Sequence, residues 1–144
     1  MKKVISVLTF ALLQLVLPGK AKAQTTTATS KATTYNSKTD GKTTASHSVS
    51  VQNSDSSYSL KAEFEPGKTA EIKKALLSGL NRQYLTESSG KWYWKKEQNN
   101  ETAYSFVLSE GKLKISLDKD LLSANDYQKL EKLSEKAAGI ISGK

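Results

Sequence analysis

Residues 102–117 encode a hairpin that constrains the rest of the chain more than any other stretch. Tyr104, Phe106 and Leu108 recur at every second position, and beyond Glu110-Gly111 so do Leu113, Ile115 and Leu117. A period of two is that of a half-buried strand, and Glu-Gly suits a two-residue turn. Closing the turn pairs Leu108 with Leu113, Phe106 with Ile115 and Tyr104 with Leu117. These six apolar groups then share one face, while Ser105, Lys114 and Ser116 share the other. Such a sheet must be covered on one side only, and the chain must supply the cover.

Upstream the same alternation returns. His47, Val49 and Val51 alternate with Ser46, Ser48 and Ser50, and Tyr58, Leu60, Ala62 and Phe64 alternate with Ser59, Lys61, Glu63 and Glu65. A loop over Asn53–Ser56 is expected to pair Val51 with Tyr58, Val49 with Leu60 and His47 with Ala62. Pro66-Gly67 ends this strand. Ile72, Ala75, Leu76 and Leu80 then carry the stripe of a helix starting near Thr69 and stopping near Asn81. Residues 86–90 (TESSG) read as a loop, and Lys91–Glu97 as a strand. The last element is a helix capped by Ser123, with Asp126 favoured in its first turn. Its stripe is Tyr127, Leu130, Leu133, Ala137, Ile140 and Ile141. The expected fold is α+β in two layers: a five-stranded antiparallel sheet in the order β-β-α-β-β-β-α, with two helices on one face.

Trp92-Tyr93-Trp94 has two possible registers. An even loop over Asn99-Asn100 pairs Tyr93 with Phe106 and turns both tryptophans outward, a platform for a sugar ring. A bulge or a three-residue loop shifts the pairing by one and puts both in the core. The second register is favoured, because the first buries the Lys91 and Lys95 side of the strand.

The N-terminus supplies an address. Met1-Lys2-Lys3, the apolar run Val4–Leu17, Pro18-Gly19 and Ala21-Lys22-Ala23 form the sequence of parts of a secretory signal peptide cut after Ala23. The 14-residue run is shorter than the roughly 20 residues a spanning helix needs, so no membrane span is expected after cleavage. Residues 24–45, rich in Thr and Ser, are expected to be a disordered spacer, and residues 46–144 a single globular domain. The protein is therefore expected to be secreted or periplasmic. Cleavage removes Lys2, Lys3, Lys20 and Lys22, reducing 22 basic residues against 14 acidic to 18 against 14, a net charge of +4. That is too little for the dense basic stripe of a nucleic-acid binder. With no cysteine, thiol nucleophiles and thiolate metal sites are excluded, and stability must come from packing.

Chemistry-bearing motifs are sparse. His47 is the sole histidine and has no nucleophile motif beside it. Asp118-Lys119-Asp120 lacks a calcium-loop pattern. Gly67-Lys68-Thr69 lacks the upstream glycine of a phosphate loop. Glu63 and Glu65 share a strand face, a spacing that any strand provides, and Asn100-Glu101-Thr102 fits a glycosylation acceptor. No cofactor or metal is expected. The expected role is a small exported, non-catalytic binding domain using its open sheet face or the aromatic strand. Trp92, Tyr93, Trp94, Lys61 and Lys114 are the candidate contacts, with a glycan or an envelope protein as partner. The alternatives are a structural cell-envelope component and, less favoured, a small carboxylate-dependent hydrolase. With the tryptophans buried, the Ser/Lys-rich face would suit a protein or an anionic polymer.

Overall fold

The computed structural model describes residues 29–35, 38–39, 42–43 and 46–144. The expected signal peptide, and the spacer residues before Thr29, lie outside them. Strands are β1 (Thr29–Tyr35), β2 (Lys38–Thr39), β3 (Lys42–Thr43), β4 (His47–Asn53), β5 (Ser57–Glu63), β6 (Leu85–Ser88), β7 (Lys91–Gln98), β8 (Glu101–Ser109) and β9 (Lys112–Asp118). The helices are α1 (Thr69–Gly79) and α2 (Ala124–Ser142). The main sheet is antiparallel in the order β1-β4-β5-β9-β8-β7-β6, and among the described residues β2 pairs with β3 alone.

The α+β class, the antiparallel sheet and the two helices agree with the expectation; the strand count does not. Residues 46–144 contribute six strands rather than five, and β1, from within the expected spacer, pairs along the outer edge of β4. The extra strand is β6, in a stretch whose polar composition reads as loop. Ser89 (φ 51°) and Gly90 (φ 72°) make the turn that folds it onto β7, the twist-compatible geometry for a two-residue hairpin.

The β8–β9 hairpin has the expected pairing, with Leu108 opposite Leu113, Phe106 opposite Ile115 and Tyr104 opposite Leu117. The β4–β5 hairpin differs from expectation by two residues: Val51 faces Leu60 and Val49 faces Ala62. Its turn is tighter than a loop over Asn53–Ser56 allows. The Ser54 N–H donates to the Ser57 carbonyl at 2.8 Å, and the Ser54 hydroxyl accepts from the Ser57 N–H at 3.1 Å. Lys119 Nζ then ties Asn53 Oδ1 (2.7 Å) and the Ser54 carbonyl (2.5 Å) to the end of β9. A displacement of two keeps every side chain on its expected face, whereas a displacement of one would have inverted the strand.

Both helices cover the apolar side. Ile72 and Leu76 of α1, and Leu130, Leu133, Ala137 and Ile141 of α2, form one buried core with Leu60, Phe106, Leu108, Leu113, Ile115 and Leu117, and Ala75 of α1 is also buried. Tyr127 and Ile140, expected in the α2 stripe, pack against this core only partly buried. Ser123 Oγ accepts from the Asp126 N–H at 3.1 Å, the expected cap. Lys68 closes the other end of α2, donating to the Ile140 and Ile141 carbonyls at 3.2 and 2.7 Å, where the helix dipole favours a cation. Thr69 Oγ1 accepts from the Gly111 N–H at 3.1 Å. Two residues of the rejected phosphate-loop motif thus hold α1, α2 and the β8–β9 turn together. Among the described residues no helix is long and apolar enough to cross a membrane.

Candidate functional site on the open sheet face

The position of Trp94 decides which surface can bind. The two-residue turn Asn99-Asn100, with φ 52° and 62°, is the even loop. The register nevertheless shifts between Lys96 and Glu97, which places Trp94 opposite Phe106 and Tyr93 opposite Val107. The bulge re-aims the strand as the charge argument requires. Trp94 is fully buried, and its indole N–H has no hydrogen-bond partner among the described residues. Burial of the large ring offsets that loss. Trp92 is half-buried, and Lys73 Nζ sits 4.1 Å from its ring centroid while also pairing with Glu87 at 3.6 Å. Trp94 therefore offers no face to a ligand, and Trp92 packs against the core with a cation over its ring. A two-tryptophan platform does not exist.

Tyr93 points the other way. It and Val107 are half-buried, opposite each other, and neither belongs to the helix-side core. They continue a row that crosses four strands of the open face: Lys61 faces Lys114, Lys114 faces Val107, and Val107 faces Tyr93. A shallow hollow of about 490 Å³ lies along this row as far as Val107, lined also by Lys91, Lys112, Ser48 and Ser50, with Glu63 as its one carboxylate; Tyr93 stands beyond its rim. Glu63 is matched by Lys112 at 3.4 Å, both side chains well exposed. Among the described residues, Lys61, Lys91 and Lys114 have no ion-pair partner.

Of the five candidate contacts, the structure brings Lys61, Lys114 and Tyr93 onto one surface and removes Trp94 from it. Lys91, Lys112 and Val107 are the contributors that sequence reasoning missed. Their grouping depends on β9 lying between β5 and β8, a long-range pairing with no local signal. Once that order is known, the alternation alone places them on the face.

Asp118 Oδ1 accepts the N–H groups of Asp120 (2.9 Å) and Leu121 (3.2 Å), closing the turn into α2. No group of three or more His, Asp or Glu able to hold a metal ion exists among the described residues. Glu65 lies beyond the end of β5 and does not line the hollow. His47 begins β4 opposite Tyr35. A second hollow of about 490 Å³, between α2 and β4–β5, has apolar walls of Val49, Val51, Tyr58, Leu60 and Ala138, with Glu131 and Glu135 beside them. Its lining is acidic where that of the open face is basic.

Comparison with protein-family models, with curated proteins and with solved structures gives no match for this chain.

Proposed function

We propose that the chain is an exported, non-catalytic binding module whose open sheet face receives an anionic ligand. The observation that carries this reading is the Lys61–Lys114 pair. Two ammonium groups directly opposite on neighbouring strands repel each other and destabilise the sheet. Folding gains nothing from them, and an anion laid between them relieves the repulsion. Lys91 and Lys112 add to the same field, while Glu63 is the only carboxylate in the hollow. The hollow therefore holds a surplus of three positive charges, most of the net +4 left after removal of the leader. Concentrating charge in one concavity steers an anionic partner there.

The test is titration of the protein expressed from Gln24, which includes every described residue, with a flexible polyanion such as polyglutamate at several salt concentrations. Affinity is expected to fall steeply with salt. The double variant Lys61→Ser/Lys114→Ser is expected to bind about tenfold or more weakly, a loss of ~1.4 kcal/mol. Equal binding by the parent and the variant removes the open face as the site.

A further inference from the structure

We infer that the anionic ligand is an acidic polysaccharide lying across the strands, with a sugar ring on Tyr93 and Val107 and its carboxylates toward Lys61 and Lys114. This inference rests on the proposed anion-binding role of the open face, and it specifies the chemistry of the ligand.

Three features point the same way. The first is the apolar step beside the charges. Tyr93 and Val107 are large apolar side chains on an otherwise Ser- and Lys-rich face, and they are neighbours. An aromatic ring with an apolar body and a polar tip suits the C–H face of a sugar. The second is the order of the row. Lys61, Lys114, Val107 and Tyr93 stand on successive strands β5, β9, β8 and β7. At roughly 4.8 Å per strand they span about 14 Å, which a polymer can bridge and a single small anion cannot. The third is what the hollow lacks. Its floor is made of β5, β9 and β8, each hydrogen-bonded to a strand on both sides, so the floor offers no free backbone ladder. A peptide recognised by strand addition would need an edge. A ligand on the floor meets ammonium groups and the hydroxyls of Ser48, Ser50 and Ser109, and one reaching past Val107 meets the ring of Tyr93 on the next strand. Carboxylates, ring faces and hydroxyls are the groups an acidic polysaccharide presents in return.

The inference is tested with polygalacturonate, polyglutamate, dextran and a single-stranded oligonucleotide against the protein expressed from Gln24. Calorimetry is run at one low salt concentration, with charge per length matched among the polyanions. Polygalacturonate is expected to bind at least tenfold more tightly than polyglutamate, and dextran at least a hundredfold more weakly than polygalacturonate. Tyr93→Ala should lose about tenfold for polygalacturonate and leave polyglutamate unchanged, while Tyr93→Phe, which keeps the ring, should bind like the parent. Circular dichroism confirms that each variant is folded. If polyglutamate or the oligonucleotide binds as tightly as polygalacturonate, or if Tyr93→Ala binds it normally, the polysaccharide inference is overturned while the anion site stands. If no polyanion binds better than dextran, the anion site is overturned with it.

Discussion

The two faces of the sheet are built on the same backbone and obey different constraints. Trp94, Phe106, Leu108, Ile115 and Leu60 point to the helices and have 0 to 1 % of their surface exposed. Their immediate neighbours in the chain, Tyr93, Val107, Lys114 and Lys61, point away from the helices. On the covered face each side chain is fixed by the volume of those around it. On the open face no layer of the described structure packs over the side chains of Lys61 and Lys114 or fixes their size and charge. The difference teaches where to look for function: a pattern on the covered face is explained by folding, and a cluster of like charges on the open face is not. Each strand therefore carries two messages at alternate positions, and substitutions at adjacent residues should separate them.

The largest separation is expected within β7. Trp94→Ala empties a fully enclosed site and should cost about 3–5 kcal/mol of stability. Tyr93→Ala, one residue earlier, should cost less than about 1 kcal/mol, within the range of strand preference. Urea denaturation of the two variants measures both values. Equal costs would mean that the bulge at Lys96/Glu97 does not hold the register, and that the two faces are exchanged along this strand.

Alkaline titration probes the covered face from another direction. Tyr58 lies in the core beneath α2. Burial, with the nearby Glu131 and Glu135 carboxylates adding to it, pushes its phenol up to about 12. Tyr104 is likewise pushed up to about 12, first by burial and then by Tyr84 and Asp126. Tyr127 is raised by burial and by the hydrogen bond it donates to Glu131 at 2.7 Å. In the unfolded chain a tyrosine titrates near 10. The folded state thus holds these protons more tightly, and the stability this contributes is fully present below about pH 10 and lost as pH rises toward 12. Each of Tyr58 and Tyr104 accounts for roughly 2–3 kcal/mol of that loss. Urea midpoints measured against pH should be level up to about pH 9 and fall beyond it. Tyr58→Phe and Tyr104→Phe should each flatten the fall. A midpoint level up to pH 12 in the parent would break the assignment of these rings to the interior.

Two glycines sharpen the contrast between a turn docked on the molecule and one that is free. Gly111 (φ 70°) and Gly90 (φ 72°) have nearly the same left-handed backbone, so alanine is strained at either. A methyl at Gly111 would also lie 2.9 Å from the Phe64 carbonyl oxygen, which belongs to the junction between β5 and α1, whereas nothing lies within 4 Å at Gly90. Gly90→Ala is expected to cost about 1 kcal/mol, the backbone strain alone. Gly111→Ala should cost about 2–3 kcal/mol, because the contact is with backbone that cannot rotate aside. Thermal melts in parallel report the difference. Equal costs would show that the β8–β9 turn is not docked against that junction.

How much of this was legible in the sequence follows the range of the interactions. The β8–β9 pairing could be read because its two-residue turn and six alternating apolar groups agree on one register. The β4–β5 hairpin was read on the correct faces but two residues out of register. Its Asn/Ser/Asp cluster admits several turns, and the clamp from Lys119 comes from 65 residues away. Strand β6 was missed because three of its four residues, Thr86, Glu87 and Ser88, are exposed and carry no alternation. Its only strong signal is Leu85 opposite Trp94. Lys61 and Lys114 could be named as face residues but not as neighbours, since that requires β9 to be inserted between β5 and β8.

The smallest expected effect on stability bears most directly on the proposed site. Lys61 and Lys114 are opposed across β5 and β9 with no ion-pair partner for either among the described residues. Replacing either by Ser, the commonest residue on this face, should raise stability by a few tenths of a kcal/mol through relief of like-charge repulsion. The gain should shrink as salt screens the pair. The double variant should gain little beyond the first replacement, because removing one lysine already ends the repulsion, and this non-additivity is the signature of coupling between the two. Denaturation curves of the parent, both single variants and the double variant at low and high salt complete the cycle. Additive losses at every salt concentration would mean that the lysines support the fold independently, and the inference from a charge cluster that folding does not require would fail with them. A gain in stability coupled to a loss of polyanion binding is the outcome expected of a face shaped for a ligand at some cost to the sheet that carries it.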